Sequence, residues 1–380
     1  MSCKPRVLIL GGVGMVGRNL VHYLVTNNLC SHIRVADKMI PIISYCSEEH
    51  KAAMESIEFS QCDLAQDNHV ARAFALNDGE KPFDIIINLA AETRLGLEEE
   101  MYKQKCLDLS IKCAEATLNM GGVKKYIEVS HGQVYKSSKT PCTEASPTKP
   151  WTKHARFKHQ AEEALSGMVS RGLPLVIVRL ATVYGKADVS GLMPRVVIAA
   201  AYKQLNEKMK FLWGKGLKIA TVHVQDVCRG LWHLSNEAGA VGSLYNLADK
   251  GNTTQGTICA MLSNMFSIDV GYHGMLISNA ARLNMGYACE TANEKHLAPW
   301  NELTKKYSIN TNLSPYLDRE VLGDKHLSMD GSAIESTGFE YEFPVLTEEL
   351  LREQIEYAIQ QKTFPPVLSN DQGGAGETKN

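Results

Sequence analysis

A turn built on three glycines joins an apolar strand to an amphipathic helix near the start of the chain. Leu10-Gly11-Gly12-Val13-Gly14-Met15-Val16-Gly17 follows the apolar run from Arg6 to Leu10 and leads into the amphipathic stretch from Arg18 to Val25. Few backbones accept that arrangement, and those that do make a cradle for a pyrophosphate. Gly11 permits the tight turn, Gly14 lets backbone N–H groups approach the phosphates, and Gly17 lets the helix pack closely on its strand. Met15 and Val16 sit between the second and third glycines, where the helix N-terminus turns unpaired donors and partial positive charge towards an anion. A second apolar strand, Ile33 to Ala36, ends in Asp37, twenty residues after Gly17. An acidic residue there can accept both hydroxyls of an adenosine ribose.

The 380 residues suffice for one large domain or two intimately joined ones, and a formal charge of −2 gives no electrostatic footprint for nucleic acid. The first residues, Met1-Ser2-Cys3-Lys4-Pro5-Arg6, lack an apolar signal region, and runs such as Leu173 to Tyr184 are too short and interrupted to span a bilayer, so the expected location is the cytoplasm, away from membranes. The ten cysteines include no Cys-x-x-Cys pair, and no metal site is expected. Cys106 and Cys113, seven apart on an expected helix, read as small core-facing residues.

Apolar strand candidates recur at Arg6 to Leu10, Ile33 to Ala36, Ile57 to Gln61, Asp84 to Asn88, Lys125 to Ser130, Leu175 to Arg179 and Ser243 to Asn246. Helical patterns fall between them, at Gly17 to Asn27, His69 to Leu76, Glu98 to Met120 and Thr152 to Ser170. Such alternation predicts an α/β fold with a doubly wound, Rossmann-type parallel sheet covered on both faces. Residues 1–185 are expected to form the nucleotide-binding domain, its sheet completed by segments near 220–250. Residues 186–368 would form a smaller, interleaved lobe that covers a ligand, with helices at Leu192 to Lys203 and Val227 to Ala238 and an irregular stretch from Gly271 to Ser336. The glycine-rich polar end, Ser369 to Asn380, reads as a disordered tail.

Taken in order, these motifs resemble those of the extended short-chain dehydrogenase/reductase family, which includes NAD-dependent epimerases and dehydratases of nucleotide sugars and the 3β-hydroxysteroid dehydrogenases. The likeness runs over roughly residues 5 to 365. Besides Gly11 to Gly17 and Asp37, the pair Asp63-Leu64 stands where the family approaches the adenine, and Asn88-Leu89-Ala90-Ala91 matches its "HLAA". Val134-Tyr135-Lys136 matches "VYG", Arg179 to Gly185 matches "RPxxVYG", Val222 to Val227 matches "VHVxDV", and Asp330 to Phe339 resembles "DxSKxxxLGF" with alanine for lysine. The resemblance implies NAD as cofactor, with NADP less favoured because Asp37 repels a 2'-phosphate, although Lys38 and Arg34 lie close in sequence. It also implies a small-molecule substrate and is compatible with a homodimer.

Where the family carries Tyr-x-x-x-Lys, the chain reads His154-Ala155-Arg156-Phe157-Lys158, and its serine or threonine position is His131, preceded by Ser130. In the family the tyrosine exchanges the proton of the substrate alcohol, the serine holds the same oxygen, and the lysine lowers the tyrosine pKa and bonds the nicotinamide ribose. His154 and Lys158, four apart, lie on one helix face, so the cofactor-holding half can survive. Three readings stay open: a replacement acid/base pair, a metal site, and a relic in a site that only binds NAD. Two functions follow, an oxidoreductase acting on a secondary alcohol such as a nucleotide sugar, and a catalytically silent NAD-binding protein with a structural, sensing or protein-interaction role. Tyr135 reads as packing rather than a substitute tyrosine, His159 and Asp188 as solvated residues, and His223 as a structural strand residue. Arg195 and Arg229 are candidates for a diphosphate-sugar contact.

Overall fold

The computed structural model describes residues 4–369, so the expected tail beyond Ser369 lies outside the described residues. The strands in chain order are β1 (Arg6–Leu10), β2 (His32–Asp37), β3 (Glu58–Gln61), β4 (Ile85–Asn88), β5 (Lys125–His131), β6 (Leu175–Leu180), β7 (Thr182–Tyr184), β8 (Met209–Phe211), β9 (Thr221–His223), β10 (Leu244–Leu247) and β11 (Val270–Tyr272). Seven of them form one parallel sheet in the order β10-β6-β5-β4-β1-β2-β3. The alternation of apolar segments therefore gives the expected Rossmann-type sheet. Of the 220–250 stretch only β10 joins it, because β9 pairs with β7 in a separate two-stranded ribbon.

The helices are α1 (Met15–Thr26), α2 (Glu48–Glu55), α3 (Asp67–Phe74), α4 (Glu99–Tyr102), α5 (Leu109–Met120), α6 (Lys153–Met168), α7 (Met193–Leu205), α8 (Val224–Asn236), α9 (Gln255–Phe266), α10 (Met275–Leu283), α11 (Met285–Lys306) and α12 (Glu348–Gln360). The expected single helix from Glu98 to Met120 is broken by a π-helical turn, Lys103–Asp108. The stretch from Gly271 to Ser336, expected to be irregular, holds α10 and the 22-residue α11. Asn284 hides them from a pattern search, since it ends one helix and caps the next by accepting from the Tyr287 N–H, and Pro299 lies inside α11.

Each strand of a doubly covered sheet alternates its side chains between two cores. Val7 and Ile9 of β1 pack with α1 and α8, whereas Leu8 and Leu10 pack with α3 and α5 on the other face. Cys113 belongs to that second core and Cys106 is equally buried, as expected of small core-facing residues. A third apolar cluster, with Val196, Leu262, Trp300 and Ile355, joins α7, α9, α11 and α12 beyond the sheet. The strand order reverses between β1 and β4, and ligands of open parallel sheets bind outside the strand ends at such a point.

Candidate functional site

Register places the candidate residues at one edge. Leu10 is opposite Ala36 and Asn88, so Gly11, Asp37 and Leu89 leave the sheet at the same level. Gly11 has φ +78°, and a Cβ there would lie 2.7 Å from the Ala90 backbone. A Cβ on Gly17 would lie 2.5 Å from Gly12, so this glycine is a packing requirement. Gly14 differs: its missing Cβ would meet only the Gly11 carbonyl, at 3.6 Å. The space beside Gly14 is thus open to the cleft, and no side chain caps α1 there. An anion's room and the donors to hold it are both present.

The Asp37 carboxylate is 9% exposed and aimed into the cleft by two backbone donors, Val13 N–H at 2.9 Å and Met39 N–H at 2.9 Å. Burial pushes its pKa up, opposed by those N–H groups and by Lys38. Arg34 takes no part. It is buried, pairs with Glu58 at 2.8 Å and donates to the Ala73 and Ala75 carbonyls, which removes it as an aid to a 2'-phosphate. Asp63, Leu64, Leu89, Ala90 and Ala91 line the same cleft as Gly11, Gly14, Met15, Val16 and Gly17. Asp63 is fixed by accepting from Ala65 N–H and by donating its own N–H to His69 Nδ1.

Further along the edge, β5 runs past the level of Asn88 and delivers His131, while Thr152 caps α6 and sets His154 in its first turn. The two rings stand 5.9 Å apart at 88°. His131 Nδ1 accepts from Gln133 N–H, which leaves Nε2 as the protonated nitrogen of the neutral ring. Burial lowers the His131 pKa to about 4, and burial with the neighbouring His131 and Lys158 lowers that of His154 to about 3. Both imidazoles are neutral at pH 7. His154 Nε2 is buried without a hydrogen-bond partner among the described residues.

Lys158 lines the cleft one turn below His154, but its ammonium is already committed. Nζ lies 2.5 Å from Glu128 Oε1, and the two side chains are 3% and 0% exposed. Glu128 also accepts from Ser110 Oγ at 2.7 Å, Asn88 Nδ2 at 2.7 Å and Tyr126 OH at 3.3 Å. Sequence reading missed Glu128. Its signal was a lone carboxylate inside the apolar run Tyr126 to Val129, where a charge persists only if paired. Glu92, also missed, is 3% exposed on the cleft wall. Burial pushes its carboxyl up, but the Arg94 guanidinium and N–H and Lys38 outweigh that and hold it at about 2.

Ser130 is buried in the cleft lining with no hydrogen-bond partner for its Oγ among the described residues, and Glu162 pairs with Arg179 at 2.5 Å. Tyr135 donates to Asn246 Oδ1 at 2.8 Å away from the cleft, a packing role. His223 ends β9 and packs between Tyr184 and Phe343. His159 pairs with Glu162 and Glu163, and Asp188, expected to be solvated, is 5% exposed and accepts from three backbone N–H groups at the start of α7. Arg195 lines the cleft, whereas Arg229 is bound to Asp226 at 2.7 Å and stacked over Phe339 elsewhere, so it is withdrawn as a ligand contact. Among the described residues no three His, Cys, Asp or Glu side chains gather as metal ligands, and no helix is long and apolar enough to cross a membrane.

The sequence is 25% identical over 295 residues to a probable dTDP-glucose 4,6-dehydratase of Sinorhizobium fredii, covering 72% of this chain and 80% of that one. It is 25% identical over 256 residues to a 4-hydroxy-2-methyl-3-oxo-4-farnesyl-3,4-dihydroquinoline-1-oxide ketoreductase of Stigmatella aurantiaca, covering 64% of this chain and 68% of that one. Pal from Bacillus thuringiensis superposes with a TM-score of 0.68 at 17% identity, over 93% of this chain and 99% of that one. The Thermus thermophilus UDP-glucose 4-epimerase complex with NAD superposes with a TM-score of 0.65 at 18% identity, over 93% and 98%. At such identities the superpositions establish the fold. Residues 7–248 match the sequence profile of the NAD-dependent epimerase/dehydratase family, and with the glycine turn, Asp37 and the parallel sheet in their places, the chain belongs to that family.

Proposed function

We propose that the chain binds NAD(H) in this cleft and holds an alcohol or ketone oxygen of a second ligand between His131 and His154, with hydride exchange much slower than tyrosine chemistry allows. The open space at Gly14, the uncapped start of α1 and the oriented Asp37 carboxylate fit a dinucleotide, and Lys38 at 48% exposure is too loosely held to favour a 2'-phosphate over two ribose hydroxyls. Bound NAD supplies a hydride acceptor; everything else falls to the side chains.

The observation that carries the reading is the orphaned His154 Nε2 on a ring that stands 5.9 Å from that of His131. A buried polar atom without a partner calls for one, and a ligand oxygen at the cleft side of the two rings would provide it. Nε2–H of neutral His131 can donate to that oxygen. Proton transfer is the weak step, because at pH 7 a ring that titrates at about 3 neither carries a spare proton nor accepts one readily. Positioned acid/base groups are worth roughly 10²–10⁴-fold in rate, and that is the expected deficit. A full relic is the second reading, favoured by the commitment of Lys158 to Glu128, which takes the ammonium away from tuning a proton donor.

Single-turnover absorbance at the reduced-nicotinamide band separates them. With NAD and secondary alcohols, the wild type is expected to turn over slowly, His154→Ala to lose turnover while keeping NAD affinity, and His154→Tyr to shift the pH profile. Unchanged turnover in His154→Ala would remove the histidine pair from the chemistry.

A further inference from the structure

The cleft has a volume of about 1440 Å³, more than the roughly 300–1,000 Å³ of an ordinary small-ligand pocket. Beyond the dinucleotide portion it opens between β8, the loop after it, and α10 and α11, and this second portion has a chemistry of its own. Its wall is apolar, with Leu212, Trp213, Leu217, Ile219, Leu322 and Leu327 facing inward. Across from them α10 turns Ile277, Ala280 and Ala281 to the cleft, a spacing that puts all three on one helical face. The apolar surface does not stop at the mouth. Met275 is 80% exposed, Leu276 85% and Leu283 91% on the same helix, and Tyr287 of α11 is 67% exposed beside them.

Positive charge accompanies this apolar wall. Arg195 lines the cleft from α7, and Lys208, Lys210 and Lys325 line its rim; none of the four is in an ion pair among the described residues. Glu207, the one carboxylate on this side of the lining, is taken by Lys295 at 2.6 Å. His296 adds a second kind of evidence: it is 5% exposed, lines the same portion, and its Nδ1 has no hydrogen-bond partner. The His296 ring lies against Tyr202 of α7, the helix that carries Arg195, so one wall of this portion offers both an unsatisfied buried nitrogen and an unpaired guanidinium to a polar head.

We infer that the second ligand is an anionic amphiphile, its charged head held by Arg195 and His296 and its apolar body running between the β8 loop and α10 to the exposed face of Leu276 and Leu283. The inference rests on the reading that this cleft takes a second ligand beside the dinucleotide. A sugar would leave most of its hydroxyls against hydrocarbon in this portion, at the cost of unpaired polar groups. A neutral lipid would leave Arg195 and His296 unanswered.

Calorimetric titration of the NAD-loaded protein with inorganic phosphate, butyl phosphate, octyl phosphate, octanoate and UDP, all below their aggregation limits, tests this. Affinity is expected to rise about twofold to fourfold per methylene from butyl to octyl phosphate, as buried hydrocarbon requires. Octyl phosphate against octanoate then tells which oxyanion the head site prefers. Ile277→Asp should abolish the chain-length gain without touching NAD affinity, and since Ile277 is 52% exposed the variant keeps its fold. Arg195→Gln should weaken every anionic probe while the chain-length increment persists. No dependence on chain length, or UDP binding tighter than octyl phosphate, would overturn the proposal. Failure of the protein to load with NAD would instead defeat the cofactor reading, and the alkyl phosphate series on the free protein would then test the amphiphile site by itself.

Discussion

Glu128 and Lys158 show what a single pair of residues imposes on this site. Both charges are out of water and compensate each other, so removing one leaves the second uncompensated, at a cost of about 3–5 kcal/mol. Glu128→Gln is therefore expected to lose several kcal/mol in urea unfolding, and Glu128→Leu with Lys158→Met to recover only part of it, since Ser110, Asn88 and Tyr126 would lose the carboxylate they donate to. The double variant should still bind NAD more weakly than wild type, because the lysine that faces the cleft is gone. A Glu128→Gln protein as stable as wild type would mean that the pair is not buried as described. The histidines belong to the same scale. Their neutrality comes chiefly from burial rather than from a partner, so they are hydrogen-bonding groups before they are acids or bases.

The glycine turn and α1 form the element on which the cofactor reading depends, and its glycines are not equivalent. Gly14→Val places a side chain in open cleft and should abolish dinucleotide binding with a retained cooperative melt, while Gly17→Val drives a Cβ into Gly12 and should destabilise the fold itself. Similar melting temperatures for both variants would contradict the division of roles. This element was legible in the sequence because its physics is local: a strand, a turn needing positive φ at Gly11, a helix start and an acid at the next strand end. The strands of the main sheet were legible for the same reason, the central ones as the continuous apolar runs that a doubly covered sheet demands, and β3, an edge strand with no buried residue, from its place in the alternation. What stayed hidden depends on contacts distant in sequence. Glu128 meets Lys158 thirty residues on, and Arg34 is spent on residues 24, 39 and 41 positions away. α10 and α11 escaped because α10 leaves Met275, Leu276 and Leu283 exposed, while the stripe that α11 buries, Cys289, Asn293, His296, Trp300 and Leu303, is partly polar and does not read as an apolar period.

Across the whole molecule the buried histidines set the response to acid. His50, His223 and His296 are each at most 7% exposed, and burial lowers each from 6.5 to about 4. The unfolded chain binds protons below about pH 6.5 that the fold refuses, so this stability is complete above that pH and is lost as pH falls towards 4, by up to about 1.4 kcal/mol per pH unit for each histidine. Asp249 acts with the opposite sign. Burial raises its carboxyl from 3.8 to about 6, so between those values the fold takes up a proton that the unfolded chain does not, offsetting part of one histidine. Melting temperature should fall steeply from pH 6.5 to 4.5, and a flat profile would show that these rings are solvated. The claim on which the rest stands is that the cleft is built for NAD(H), and calorimetric titration of the wild type and Asp37→Ala with NAD and NADP tests it most directly. The wild type should bind NAD more tightly than NADP, and Asp37→Ala should weaken NAD and narrow the difference. Tighter binding of NADP by the wild type, or no binding of either dinucleotide, would contradict it.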